Sequence, residues 1–302
     1  MKEARGYIMI LGAALFWGLS ATAAKSLLNR QIDTILLVQS RVTFTFLLMV
    51  AFIVVFKREL LIVRFHDLWK FALVGIIGVA GANVTYYFTI RESTVATGIL
   101  IQYTAPLLVM GYAAVTKEET ITSIKIIAAI LSLAGCFLAV GAYDAQVLKI
   151  SPFGLLTGLG SIICFAFLNI FTRHVLSSFN LWTVIVYSMG FASAFWMVVN
   201  PPWRIIAQSP SSDIWGALFL LAIVSILIPH SLYFSGLRYV VPSRAIITST
   251  FEPIVAIISA TWFLQEFLEP LQIAGAVIVL AAIILLQVRK ETPYSPAMES
   301  NH

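Results

Sequence analysis

The chain has 302 residues, of which 60% are hydrophobic and only 11% are charged. A soluble domain is about 25% charged and about 45–50% apolar, so this composition excludes a water-soluble globule, and it equally excludes a disordered chain. The chain has a net charge of +5, but its basic residues are spread over the predicted loops and do not indicate a nucleic-acid-binding protein. We therefore predict an all-α, polytopic membrane protein whose side chains mostly face lipid or other helices.

A membrane-spanning helix needs about 20 mostly apolar residues, and the sequence contains ten such stretches. In chain order they are residues 7–27, 34–56, 71–90, 95–116, 122–141, 152–172, 181–200, 214–236, 242–264 and 270–288. Several connecting loops are very short, so neighbouring helices are expected to pack antiparallel. We divide the chain into residues 1–143 and 144–290, each with five spans, and a disordered tail at 291–302.

The distribution of lysine and arginine predicts the orientation of the chain. If the N-terminus is cytoplasmic, eleven of the 19 basic residues fall in cytoplasmic segments and four fall in loops on the other side. Cytoplasmic loops of membrane proteins carry an excess of these residues. Both termini are therefore predicted to be cytoplasmic.

The two halves of the chain resemble each other. Residues 86–129 align without gaps on residues 233–276, at an offset of 147. The alignment pairs Tyr86 with Tyr233, Arg91 with Arg238, Pro106 with Pro253, and Glu119 with Glu266. Since each half holds five spans, an odd number, the second half is expected to enter the membrane with opposite polarity. Such inverted repeats are typical of secondary transporters, although a duplication that only built a stable bundle is the alternative.

Several short features stand out in the predicted spans. The first span contains Ala-Leu-Phe-Trp-Gly at residues 14–18, and the second contains Arg41. The fourth and ninth spans each contain a proline that is followed by an acidic residue at the helix end, Pro106 with Glu119 and Pro253 with Glu266. These features resemble the drug/metabolite transporter superfamily, in members with two EamA domains. The resemblance implies ten helices around a central cavity lined mainly by spans one, three, four, six, eight and nine. It also implies export or exchange of small metabolites without ATP, and the sequence has no phosphate-binding Gly-x-x-x-x-Gly-Lys-Ser/Thr loop.

Glu252 is the carboxylate that lies clearly in the middle of a predicted span, about eleven residues into the ninth. An acidic residue at the bilayer centre costs about 2.5–3.5 kcal/mol, so Glu252 is a candidate proton carrier or partner for a substrate amine. The next residue, Pro253, removes a backbone donor and frees the carbonyl of Ser249. The alternative is a protonated Glu252 that only satisfies this broken turn.

Arg41 lies about eight residues into the second span. As a functional residue, Arg41 would anchor an anionic group of a substrate. As a structural residue, it would snorkel outward or cap a neighbouring carbonyl. Because the cavity of the resembled family is not built mainly from the second span, we favour the structural interpretation.

Polar and aromatic side chains recur at helical spacing in the other spans. Together with Glu252 and Ser249, the predicted cavity lining comprises Trp17, Ser20, Asn83, Tyr86, Tyr87, Gln102, Tyr103, Asn169 beside Phe165, His230 and Tyr233, with helix breaks at Pro106 and Pro253. A cavity of aromatics with a few amides and one acid suits amphipathic solutes such as amino acids or aromatic compounds. For each residue alone, an interhelical hydrogen bond, worth about 0.6 kcal/mol on average, is an equally good explanation.

These features predict a secondary transporter that exports small metabolites by alternating access, with proton coupling as a further hypothesis. Uptake or passive facilitation is the alternative, and an intramembrane enzyme with Ser20 as nucleophile and His230 as base is a remote one. We do not expect an enzyme, because these two residues lie in different halves. We expect a small-molecule substrate and the lipid bilayer as partners, without nucleic acid, cofactor or metal ion. A monomer is expected rather than a dimer, in the cytoplasmic membrane of a prokaryote.

Overall fold

The computed structural model describes residues 2–93, 95–144, 149–208, 211–264 and 269–288, and these residues form helices without any strand. The helices of the N-terminal half are α1 (Lys2–Asn29), α2 (Thr34–Phe56), α3 (Leu68–Leu73), α4 (Ala82–Glu92), α5 (Val95–Gln102), α6 (Ala105–Thr116) and α7 (Ser123–Ala139). Those of the C-terminal half are α8 (Pro152–Ser178), α9 (Leu181–Val199), α10 (Pro202–Gln208), α11 (Ser212–Ala222), α12 (Ile228–Leu237), α13 (Pro242–Ser249), α14 (Phe251–Leu264) and α15 (Pro270–Val288). Glu266 and the predicted tail at 291–302 lie outside the described residues.

Seven helical segments are long and apolar enough to cross a membrane. They are Glu3–Leu28, Thr34–Phe56, Phe65–Glu92, Thr97–Thr116, Pro152–Ser178, Leu181–Val199 and Ser212–Leu237. The three other predicted spans correspond to shorter or interrupted helices. The fifth span corresponds to α7, which has 17 residues, and the tenth corresponds to α15, whose apolar part covers Pro270–Leu286. The ninth span divides into α13 and α14 at Thr250. An all-helical protein with several membrane spans is confirmed, whereas ten crossings and their inverted arrangement stay predictions.

Four of the predicted spans are interrupted within their length. The third passes from α3 to α4 through a π-helix at Val74–Gly81, and the eighth passes from α11 to α12 through a π-helix at Ile223–Leu227. In the fourth and ninth spans, Pro106 and Pro253 lie in the first turn of α6 and α14, where a missing backbone donor is tolerated. At π-helices and helix starts, some backbone N–H and C=O groups lack their usual helical hydrogen-bond partners. Such interruptions often mark functional sites.

Close helix packing surrounds the interrupted segments. Helix α1 packs on α12 and α14, α4 packs on α8, α2 packs on α9, and α7 packs along α15. At Gly18, a Cβ added to α1 would lie 2.7 Å from the carbonyl oxygen of Glu252 in α14. Because no larger residue fits at this contact, Gly18 allows α1 to approach the backbone of α14 closely.

Candidate functional site

A cavity lies between the interrupted helices. It encloses about 630 Å³ of empty space, part of which is open to the outside. Its wall is formed by Trp17, Ser20, Ala21, Arg41, Ala82, Asn83, Tyr86, Tyr87, Gln102, Phe165, Leu168, Ser225, His230 and Glu252. These side chains come from both halves of the chain, so neither half builds the cavity alone.

Most of the side chains predicted to line a cavity meet in this one. The predicted residues found in its wall are Trp17, Ser20, Asn83, Tyr86, Tyr87, Gln102, Phe165, His230 and Glu252. The others, Tyr103, Asn169, Tyr233 and Ser249, are buried behind the wall. Helical spacing predicts which face of a helix is polar, but it does not show which residues on that face are covered by a neighbouring helix.

Glu252 enters the cavity from the first turn of α14, directly after the break at Thr250. The hydroxyl of Tyr103 lies 2.7 Å from Oε2 of Glu252 and 2.8 Å from the carbonyl oxygen of Ser249, so its proton can be donated to either acceptor. One tyrosine therefore supports both the acid and the carbonyl that Pro253 leaves without a helical donor. The N-terminal turn of a helix also favours a negative charge.

Trp17 forms an aromatic part of the wall. Its ring centre lies 5.1 Å from that of Tyr233 and 5.6 Å from that of His230, which meets the indole edge-on. Behind it, the hydroxyl of Tyr233 donates to Oδ1 of Asn169, and Nδ2 of Asn169 donates to the carbonyl of Phe165 over 2.7 Å. These contacts connect α1, α12 and α8 beside the cavity.

Arg41 reaches the cavity from α2 and is only 4% exposed. Its Nε donates to Oγ of Ser225 over 2.7 Å, and its Nη1 donates to the hydroxyl of Tyr87. The guanidinium carbon also lies 5.2 Å from the centre of the Tyr87 ring. The structure differs here from the expectation that Arg41 snorkels outward or caps a carbonyl, because two hydroxyl groups hold the guanidinium inside the bundle.

Besides Arg41, four lining residues were not predicted: Ala21, Ala82, Leu168 and Ser225. The first three are apolar residues in apolar helices and carry no recognisable sequence signal. Ser225 does carry one, because it is the single polar side chain between residues 217 and 228. Its position in the second π-helix, which turns it toward Arg41, follows from tertiary packing.

The cavity contains one guanidinium and one carboxyl group, and among the described residues no ion pair joins Arg41 to Glu252. Each is held by neutral hydroxyl groups. The described residues also contain no group of three His, Cys, Asp or Glu side chains that could hold a metal ion. The wall thus offers charged and aromatic groups that can bind a solute, and a carboxyl group that can be protonated.

A second group of charged residues lies away from the cavity, where α7 and α13 begin. Nζ of Lys125 is 3.0 Å from Oε2 of Glu119, and both side chains are almost completely buried. The hydroxyl of Ser243 donates to the same carboxylate, and Nη1 of Arg244 lies 3.1 Å from Oε1 of Glu3 in α1. We call these five residues the end cluster. In contrast to the cavity, each cation here has a carboxylate partner.

Both halves of the chain match one known family. The EamA-like transporter family matches residues 4–141 and again residues 152–288. The chain belongs to the EamA-like transporter family. The predicted family is thereby confirmed, and the protein is a multi-pass membrane transporter with two copies of the EamA domain.

Several relatives are similar over nearly the whole chain. The "Uncharacterized inner membrane transporter YicL" of Salmonella typhimurium is 23% identical over 94% of this chain and 95% of its own length. An "Uncharacterized transporter" of Archaeoglobus fulgidus is 24% identical over 94% of this chain and 99% of its own length. A solved crystal structure with 16% identity has a TM-score of 0.76 and covers 94% of this chain and 97% of that chain, which shows a shared fold. The family and the names of these relatives describe transporters rather than enzymes.

Proposed function

We propose that this EamA-like transporter is a secondary exporter of small amphipathic metabolites, which binds its substrate in the cavity beside Glu252. The observation that carries the proposal is the cavity itself, a partly open space walled by aromatic rings, two amides, one acid and one guanidinium. Such a wall suits a solute that is partly apolar and partly charged. One chain supplies this wall, which supports a monomer in the lipid bilayer.

The exporter is proposed to work by alternating access, through ten spans in two inverted repeats with boundaries at 1–143 and 144–290. The two family matches support two equivalent halves. Contacts in and next to the end cluster support opposite directions of the two halves. Glu3, at the beginning of α1, contacts Arg244. Arg173, near the end of α8, donates to the carbonyls of Leu237 and Val240, which come just before Ser243 and Arg244 in the chain. The first helix of one half thus begins where the first helix of the other half ends.

We propose cytoplasmic N- and C-termini, in a bacterial or archaeal cell membrane, from the distribution of Lys and Arg. The end cluster then lies on the cytoplasmic side. Its contact between Glu119 and Ser243 joins the two halves, so opening toward the cytoplasm requires this contact to separate. Alternating access predicts such contacts between halves at whichever end is closed.

Glu252 is the proposed site of proton coupling. Its carboxyl group lies in the cavity wall, and the hydroxyl of Tyr103 can donate a hydrogen bond to it when it is ionised. Exchange of one proton at Glu252 changes the net charge of the cavity, and therefore its affinity for a charged solute. The alternative catalytic use of Ser20 and His230 has less support, because the Ser20 hydroxyl donates to the carbonyl of Trp17.

The proposal is tested by comparing metabolites in the medium of cells that express wild-type protein, Glu252→Gln or Glu59→Gln at matched membrane levels. Glu59 is an exposed acid in the segment after α2, outside the cavity, and serves as the control. We expect at least one solute to accumulate outside cells with wild type and Glu59→Gln, but not with Glu252→Gln. Equal export by Glu252→Gln would remove Glu252 from the mechanism. Depletion of a solute from the medium would replace export by uptake.

A further inference from the structure

We propose that Arg41 is a carboxylate-binding subsite of the cavity, so that the transported solute carries a carboxylate group that docks on this guanidinium. This inference rests on the proposed function, because it assumes that the solute occupies the cavity. It adds a specificity-determining residue on α2, a helix that the family resemblance did not place in the cavity wall. It also assigns Tyr87 and Ser225 as positioning residues.

The first argument is the missing counter-charge. Arg41 is almost completely buried in an apolar helix, and the partners of its guanidinium are the hydroxyl groups of Tyr87 and Ser225, which are neutral. Buried charges are normally paired with an opposite charge. Lys125 and Arg244 follow this rule in the end cluster. Glu252 lines the same cavity, but its carboxyl group is hydrogen-bonded to Tyr103 and, among the described residues, forms no ion pair with Arg41. An anionic solute would supply that direct ionic contact.

The second argument is geometric. Hydrogen bonds from Nε to Ser225 and from Nη1 to Tyr87 hold the guanidinium at two of its three nitrogen atoms. A guanidinium has five N–H donors in a planar fork, so these two contacts leave donors for a ligand, and Arg41 lines the cavity. A pre-oriented fork loses little conformational entropy when it binds a carboxylate. The two hydroxyl groups thus fix the guanidinium without neutralising it.

The third argument concerns which anion fits. One guanidinium matches one negative charge, so a carboxylate, which carries a single charge, fits Arg41 better than a dianion such as a phosphate monoester. The aromatic rings of Trp17 and Tyr86 in the wall then accommodate an apolar part of the same solute.

The test measures thermal unfolding of the purified full-length chain in detergent, titrated separately with 3-phenylpropionate, phenylalanine and phenethylamine. The first two probes carry a carboxylate and the third does not. We expect both carboxylate probes to raise the unfolding temperature of the wild type. In Arg41→Gln, their apparent affinity is expected to fall by about ten-fold or more, because a hydrogen-bonded charge pair is lost, while the response to phenethylamine stays unchanged. Arg204→Gln, at an exposed position in α10, is the control.

Two further variants keep the test decisive if Arg41→Gln does not fold. Tyr87→Phe and Ser225→Ala each remove one positioning contact, and each is expected to weaken carboxylate binding several-fold while Arg41 keeps its charge. A wild-type protein that neither carboxylate probe stabilises overturns the subsite, as does wild-type affinity for them in all three variants. Binding without export by the wild type would reject the proposed function alone. Export without dependence of binding on Arg41 would reject the subsite alone.

Discussion

The cavity and the end cluster both bury charged groups inside the helical bundle, but the two regions satisfy these charges differently. In the end cluster, Lys125 is completely buried and lies 3.0 Å from a carboxylate oxygen of Glu119. In the cavity, Arg41 and Glu252 are held by hydroxyl groups of tyrosine and serine residues. Removing one member of a buried ion pair leaves the other without compensation. Charges paired within the chain therefore stabilise the fold, whereas those held only by neutral groups remain available to a solute.

The largest expected effect comes from Lys125→Met. Methionine occupies a similar volume but leaves buried Glu119 without its ion-pair partner, so we expect the free energy of unfolding to fall by about 3–5 kcal/mol. The measurement is unfolding of the purified chain in increasing sodium dodecyl sulfate, followed by circular dichroism. The double variant Lys125→Met with Glu119→Gln removes both charges and is expected to recover most of this loss. Wild-type stability of the single variant would contradict the comparison.

A smaller loss is expected at Gly275, where α15 packs on the helix that carries Lys125. A Cβ added at Gly275 would lie 2.6 Å from the carbonyl oxygen of Gly135. Because the two backbones must separate, Gly275→Ala is expected to lower the free energy of unfolding by about 1–3 kcal/mol in the same assay. Gly111→Ala is the matched control, since nothing lies within 4 Å of its added Cβ, and it is expected to be neutral or stabilising by up to about 1 kcal/mol. Similar losses in both variants would argue against this close packing.

Glu252→Gln tests whether a charged group in the cavity contributes less to stability than one in the end cluster. The amide oxygen still accepts a hydrogen bond from Tyr103, and no cation loses an ionic partner. We therefore expect the free energy of unfolding to change by less than about 1 kcal/mol, although transport is lost. Unfolding of Glu252→Gln and Lys125→Met in sodium dodecyl sulfate, measured side by side, compares the losses in their free energies of unfolding. A loss as large as that of Lys125→Met would mean that Glu252 stabilises the fold as the end cluster does.

The smallest expected effect is at Tyr143, in the turn after α7. Its hydroxyl donates to the carboxylate of Glu269, and this hydrogen bond raises the pKa of Tyr143 to about 12. The folded state thus favours the protonated hydroxyl, so the contact stabilises fully below the ordinary pKa of 10.0 and is lost as the pH rises through about 12. Because both side chains are exposed, Tyr143→Phe is expected to lose less than about 1 kcal/mol at neutral pH. Unfolding at neutral pH and above pH 12 checks whether the difference disappears.

Helix positions were predicted well where local chemistry defines the ends. The predicted spans 34–56 and 270–288 coincide with α2 and α15. At the beginning of α2, the side chain of Asp33 accepts hydrogen bonds from the N–H groups of Ile35 and Leu36, and α15 begins at Pro270, which needs no helical donor. The π-helices in the third and eighth spans were not predicted, because such interruptions depend on how neighbouring helices pack.

The candidate site was predicted in part. Glu252 stood out because a carboxylate within an apolar span has few explanations, and the structure brings it to the cavity wall. The contact between Arg41 and Ser225 joins residues 184 positions apart, and no helical periodicity links such positions. The same reason explains why Tyr103 and Tyr233 were expected in the wall but lie behind it.

By itself, the sequence determined that the chain is an apolar helical membrane protein with two related halves, because composition, hydrophobic runs and prolines act locally along the chain. Only the tertiary structure decided which buried charges have ionic partners. Lys125 finds Glu119 six residues away, whereas Arg41 meets two hydroxyl groups from distant helices. The role of a buried charge depends on the groups packed around it, and in a helical bundle those groups come from segments far apart in sequence.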